Sequence, residues 1–266
     1  MAFDIIFSGY FIYGFFAGIV LALAGGYLGV FLVLKRYSLL SDALSHIALL
    51  GAAITFALRA QSVWLNVLIV VLASLLIEFI RKNGRFQSDS VIAVFIAVSL
   101  SMAVTIFSIT KHGMTGIEGY LFGSLATVGF EDFIAICLVS IIAMTVFTIF
   151  FKKFKLLLFD EDFARVCGLK TEILNYLIIA IIAAFIAVSI KTVGVLTVSA
   201  ILVVPALTAL SFRLFFMQTV MLSSAVATLG AIFGIFLSIL FMLPIGTSIV
   251  LMLSVFFIIG LLLNNR

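Results

Sequence analysis

An aspartate and a histidine four residues apart, Asp42 and His46, lie in the apolar stretch Ser-Asp-Ala-Leu-Ser-His-Ile-Ala-Leu-Leu-Gly. At i, i+4 on a helix the two side chains share one face. A carboxylate oxygen and an imidazole nitrogen offered together suit a divalent transition metal. A carboxylate at bilayer depth costs roughly 2.5–3.5 kcal/mol on insertion scales, so such a group usually marks a pathway or a coordination site. Two ligands are too few for tight capture, and loose coordination suits a conduit that must also release its ion. A two-fold dimer would bring two such pairs near one axis. The other reading stays open: the acid lies about a turn beyond Tyr37, where it can cap a helix, and His46 can hydrogen-bond to a neighbouring helix.

The elements that carry this pair read as membrane helices. The chain is 65% hydrophobic and only 10% charged, with a mean hydropathy of +1.44, whereas a soluble domain carries about a quarter charged residues. Repeated runs of about 20 apolar residues, enough to cross about 30 Å of hydrocarbon, predict one all-α polytopic domain over 1–266 with eight or nine spans. The expected spans are 8–34, 38–58, 63–80, 90–109, 133–151, 173–190, 193–211, 215–240 and 247–263. With the N-terminus outside, all the basic residues except Arg59, Lys111 and Lys191 face the cytoplasm, as the positive-inside rule requires. The net charge of +4 therefore reflects short cytoplasmic loops and not nucleic-acid binding. Met1 to Asp4 carries no basic residue and the first apolar run exceeds a signal h-region, so it reads as a retained helix. Cys137 falls in a span and Cys167 in a loop, which makes a disulfide between them a poor expectation.

Several local features modify this layout. The glycine-containing stretch from Glu118 to Val128 is too short to cross and is expected as a short outer-surface helix or re-entrant piece. Spans 173–190 and 193–211 are joined only by Lys191-Thr192, so one of them should be short, tilted or broken. Pro205 is expected to kink its helix or free a carbonyl, and Pro244 to mark a turn. Gly14/Gly18, Gly25/Gly29 and Gly230/Gly234 are small-xxx-small patterns for close helix packing, within the chain or between subunits. Glu78, four residues before Lys82, reads as an interfacial ion-pair partner. His112 and Glu118 read as an outer solvated loop, with entry-side metal contact the lesser alternative.

The stretch Asp160-Glu-Asp-Phe-Ala-Arg-Val-Cys-Gly follows a run of lysines on the cytoplasmic side. As a short helix ended by Gly168 it would project Phe163 and Val166 on one side. A plain solvated loop has no use for such an embedded apolar pair, so a docking element for a soluble partner is expected over about 156–172. The chain lacks a Gly-x4-Gly-Lys-Ser/Thr loop to cradle ATP phosphates and lacks hydrolase motifs, so no enzymatic activity and no cofactor of its own is expected.

These segments together resemble the membrane permease subunits of bacterial zinc and manganese ABC importers, with a type II importer-like fold. The resemblance rests on Arg36-Tyr-Ser-Leu-Leu-Ser-Asp-Ala-Leu-Ser-His-Ile-Ala-Leu-Leu-Gly, Tyr120-Leu-Phe-Gly-Ser-Leu-Ala-Thr-Val, Asp160 to Leu169, the Val193-Gly to Pro205-Ala-Leu-Thr-Ala run, and Pro244-Ile-Gly-Thr-Ser-Ile-Val-Leu. The matches are collinear and spread over nearly the whole chain. Ser41, Ser124 and Leu207 depart from the family pattern; the first implies altered packing beside the aspartate, the second weakens any outer metal contact.

The resemblance implies a homodimer in the cytoplasmic membrane, two cytoplasmic ATPase subunits and an extracytoplasmic metal-binding protein. It implies that Asp42 and His46 contact the ion and that Asp160, Glu161, Asp162, Phe163, Ala164, Arg165 and Gly168 form the coupling element. Zinc is the expected cargo, because imidazole suits it and Leu50-Gly51 resembles the zinc branch; manganese or iron(II) is the alternative. A self-contained, gradient-driven metal carrier is a rival class, and a metal-dependent intramembrane enzyme a weaker one.

Overall fold

The computed structural model describes residues 9–60, 62–83, 88–110, 113–124 and 127–264. Among them are twelve helices: α1 (Gly9–Leu34), α2 (Ser38–Ala57), α3 (Val63–Asn83), α4 (Ser88–Ile109), α5 (Gly113–Phe122), α6 (Phe130–Ile149), α7 (Phe151–Phe159), α8 (Glu161–Val166), α9 (Thr171–Val193), α10 (Val195–Ser211), α11 (Phe216–Phe241) and α12 (Ile245–Asn264). Eight of these are long and apolar enough to cross a bilayer. The ninth expected span, α10, has 17 residues, about 25 Å of rise. It nonetheless runs between the same two ends as its neighbours. Its start abuts the C-terminus of α5, and the chain beyond it re-enters at Phe216, whose ring lies 5.1 Å from that of Phe151 at the opposite end.

The break before α10 differs from the sequence expectation. Helix α9 continues through Lys191 and Thr192 to Val193, and the single residue Gly194, at φ +89°, makes the joint. Only glycine enters that region without steric cost. Glycines from three distant motifs meet here. A Cβ on Gly194 would lie 2.5 Å from the Leu121 carbonyl, one on Gly123 2.4 Å from the Val193 carbonyl carbon, and one on Gly246 2.5 Å from the Phe122 carbonyl. The end of α5, the α9–α10 joint and the start of α12 therefore touch backbone to backbone. This is why the short outer stretch lies across the bundle end without crossing it.

Helix α1 packs against α10, α11 and α6, while α2 packs against α4, α3, α10 and α9. Gly25/Gly29 and Gly230/Gly234 serve packing within the chain. Gly29 faces the Leu202 backbone, Gly25 the side chains of Ile201 and Phe185, and Gly230 and Gly234 face Leu253 and Ile249 of α12. A Cβ at Gly29 would stand 1.9 Å from the Leu202 oxygen, a rigid backbone atom. Gly29→Ala is therefore expected to destabilise the fold by about 3 kcal/mol, the upper part of the usual overpacking range. Thermal unfolding in detergent measures this, and an unchanged midpoint would contradict the packing described.

At the other end, Phe31 gathers Phe147 at 4.8 Å and Phe216 at 5.4 Å, and Phe147 meets Phe154 at 4.9 Å. Helix α7 is amphipathic: Phe154 and Leu157 are buried while Lys152, Lys153 and Lys155 lie along its outer side. This aromatic knot pins α7, and through it α8, against α1 and α11.

Candidate functional site

Helix α2 is almost entirely enclosed by its neighbours. Between Leu39 and Thr55 only Leu39, Asp42, His46, Leu50 and Ile54 escape full burial. Their spacing of three and four residues makes one stripe along the helix. The inward faces are filled by small and aliphatic residues, with Ser41 and Ser45 donating their hydroxyls to the Ser38 and Ser41 carbonyls at 2.7 and 2.9 Å. Ser41, the departure from the family pattern, is thus satisfied within its own helix and buried.

Asp42 and His46 lie on this open stripe together. His46 Nε2 is 4.0 Å from Asp42 Oδ1, with side chains 13% and 44% exposed respectively. That separation is too long for a hydrogen bond. His46 Nδ1 is buried and has no hydrogen-bond partner among the described residues. The N-cap position of α2 is Tyr37, with no side-chain capping bond and no acid in the first turn, so Asp42 does not cap its helix. Neither side chain is consumed by the structural role that the sequence left open. Among the described residues there is no cluster of three or more His, Cys, Asp or Glu side chains, so the pair has no third such ligand among them.

The cytoplasmic element divides into two faces. Asp160 caps α8, accepting from the Phe163 amide at 2.8 Å. Gly168, at φ +80°, ends the turn, with Leu169 N donating to the Ala164 carbonyl at 3.1 Å. Ala164 is fully buried against the bundle, whereas Phe163 and Val166 are 54% and 85% exposed. Asp162 and Arg165 are also exposed. Glu161 turns inward: its carboxylate accepts from Lys35 Nζ at 2.8 Å and from Asn175 Nδ2 at 2.9 Å. Partial burial works against its charge, but Lys35 and Asn175 outweigh this and hold the carboxyl below its usual range. The coupling residues proposed from sequence are therefore not equivalent. Phe163 and Val166 face outward, Asp160 and Gly168 shape the helix, and Glu161 binds the chain's own α1–α2 turn.

Close by, Tyr37 is buried and its hydroxyl accepts from Arg81, whose guanidinium lies 4.4 Å from the ring centre. Burial pushes the Tyr37 phenol far above its ordinary value, with Glu78 adding to the effect. Glu78, itself 3% exposed, receives two bonds from Arg81 at 2.8 and 2.9 Å. The sequence pairing of Glu78 with Lys82 is corrected: Glu78 takes Arg81 at i+3, and Lys82 pairs with Glu172 of α9.

At the outer end a cavity of about 320 Å³ lies among α2, α3, α6 and α9, lined by Thr55, Asn66, Tyr120, Asp132 and Lys191. Lys191 Nζ donates to Asp132 Oδ2 at 2.6 Å. Burial pushes the Tyr120 phenol up, and the Asp132 charge adds to it. The Asp132–Lys191 pair was not legible in sequence, because 59 residues separate its members and no local period links them. Glu118 is exposed on α5 and does not line this cavity; His112 lies outside the described residues. Pro205 is buried within a continuous α10, where its missing N–H leaves the Ile201 carbonyl without its helical donor.

The fold and the arrangement of polar groups define a multi-pass helical membrane protein with a charged, two-faced helical hairpin on one side. The model of the family described as "ABC 3 transport family" matches residues 9–264, and the chain belongs to that family. It is 32% identical over 229 residues to the "Probable metal transport system membrane protein" of Treponema pallidum (strain Nichols), covering 85% of this chain and 86% of that one. It is 29% identical over 242 residues to the "Manganese import system permease protein ScaB" of Streptococcus gordonii, covering 91% and 87%. Among solved structures it is similar to PsaBC from Streptococcus pneumoniae in complex with Fab. That match has a TM-score of 0.87 at 26% identity, covering 98% of this chain and 95% of the other.

Proposed function

We propose that this chain is the membrane-spanning subunit of an ATP-driven importer of a divalent first-row transition metal. The open stripe of α2 carries this reading. A carboxylate facing lipid is expensive, so the one uncovered face of an otherwise buried helix, bearing Asp42 and His46, calls for a polar cover. A second copy of the chain related by a two-fold axis, enclosing an aqueous pathway, supplies it and completes a ligand set of two carboxylates and two imidazoles. An ion there exchanges part of its water shell for these groups and moves on, because the site is too sparse to hold it.

ATP is bound by separate cytoplasmic subunits that grip Phe163 and Val166, and an extracytoplasmic binding protein delivers the ion. Closure of the ATPases rocks the two permease copies and alternately exposes the pathway. Manganese(II) is the cargo supported by the names of several relatives. Zinc(II) is the second reading, resting on imidazole chemistry and on Leu50-Gly51; an Asp/His pair accepts either ion.

The test is uptake by the complex of permease, ATPase and binding protein in proteoliposomes. ATP-dependent manganese accumulation, reduced by competing zinc if both ions use the pathway, is the expected result. Accumulation at the same rate without ATPase subunits would establish a self-contained carrier instead.

A further inference from the structure

We infer that Glu161 is a positioning residue that transmits movement of the docking helix α8 to α2 through Lys35, an inference that rests on the importer reading above. The outward face of α8 is free for a partner, while its inward carboxylate is clasped to the two-residue link between α1 and the N-cap of α2. Lys35 is almost wholly enclosed, at 10% exposure, and its ammonium meets Glu161 at 2.8 Å. Its backbone is set in the turn that follows α1: Arg36 N and Tyr37 N donate to the Val33 and Leu32 carbonyls at 2.9 Å each. Tyr37 occupies the N-cap position of α2, five residues before Asp42, and is held by Arg81, which Glu78 fixes in turn.

A displacement of α8 therefore reaches the start of the metal-bearing helix directly through this ion pair, beside the aromatic contacts that tie α7 to α1. A packed helix moves as a rigid element and does not bend away the shift. There is room for the stroke. A cavity of about 360 Å³ opens between the clasp and the Tyr37–Arg81 pair, lined by Leu34, Tyr37, Glu78, Arg81 and Leu158. A parallel route runs from α8 along the chain into α9, where Asn175 holds the other oxygen of Glu161 at 2.9 Å. Lys35 is specific to the route into α2, and this separates the two.

The experiment uses the full complex in proteoliposomes, measuring manganese(II) uptake and ATP hydrolysis on the same preparation. Lys35→Met and Glu161→Gln are each expected to retain the ATPase subunits on purification and to keep ATP turnover. Manganese moved per ATP should fall about tenfold, the order of a typical coupling between sites. The exchanged pair Lys35→Glu/Glu161→Lys should recover most of that ratio, and the retained assembly and ATP turnover of the single variants separate lost coupling from a merely structural loss. The inference is overturned by a wild-type ratio in Lys35→Met, by failure of the exchanged pair to recover, or by loss of ATPase binding in Glu161→Gln. A wild-type complex that hydrolyses ATP but moves neither manganese nor zinc removes the importer reading and this inference with it. Unchanged variants beside an active wild type remove only the inference.

Discussion

Replacing Asp42 and His46 together by alanine is expected to lower metal uptake by at least about 100-fold, with each single replacement costing about tenfold, the range seen when groups that hold a metal are weakened. The reason is geometric. The two side chains occupy one open stripe, are 4.0 Å apart, and leave His46 Nδ1 without a partner among the described residues. On the proposed pathway, truncation removes the oxygen and nitrogen that would replace hydration water, and the remaining faces of α2 are filled. The variant should fold as the parent does, since among the described residues neither side chain makes a hydrogen bond. Expression level, melting temperature and ATPase co-purification are the controls. Uptake at the parental rate by the double variant would falsify the proposed pathway.

Phe163→Ala should detach the ATPase. The ring is 54% exposed beside Val166 at 85%, an apolar pair presented on a short, well-capped helix at the cytoplasmic side. Aromatic anchors of this kind typically contribute about 2 kcal/mol or more to an interface, equivalent to about thirtyfold in affinity. The expected result is loss of ATPase subunits during purification and fall of ATP-dependent uptake, with unchanged stability of the permease itself. Ala164 provides the contrast. Ala164→Leu would push against the bundle and destabilise the fold, so only Phe163 should separate assembly from folding. Recovery of an intact complex with Phe163→Ala at parental affinity would remove the docking role of this face.

Much of this architecture was legible in the chain. Hydropathy set every long helix to within a few residues, because bilayer thickness fixes their length: α2 was expected over 38–58 and spans Ser38–Ala57. The pairing of Asp42 with His46 followed from helical period alone. What period cannot give is the partner across the bundle. Lys35 and Glu161 lie 126 positions apart, so the clasp appears only when α7 and α8 fold back beneath α1. Glu78 illustrates the same limit at short range, where i+3 and i+4 neighbours were equally available and the contact of Arg81 with Tyr37 selects i+3. The joint between α9 and α10 was misplaced for a different reason. A lysine and a threonine look like a loop, yet Lys191 remains in the helix because Asp132 neutralises it, and the turn falls instead on the one residue able to adopt φ +89°.

The meeting of Gly123, Gly194 and Gly246 has a consequence for how this end of the bundle can move. Where these three segments of the chain touch, Gly123 and Gly194 face main chain alone, and the Thr197 hydroxyl beside Gly246 adds a side-chain contact. The short helix α5 must travel with the elbow between α9 and α10 as one solid block. A side chain introduced at Gly123 or Gly194 is therefore expected to force these main-chain contacts apart.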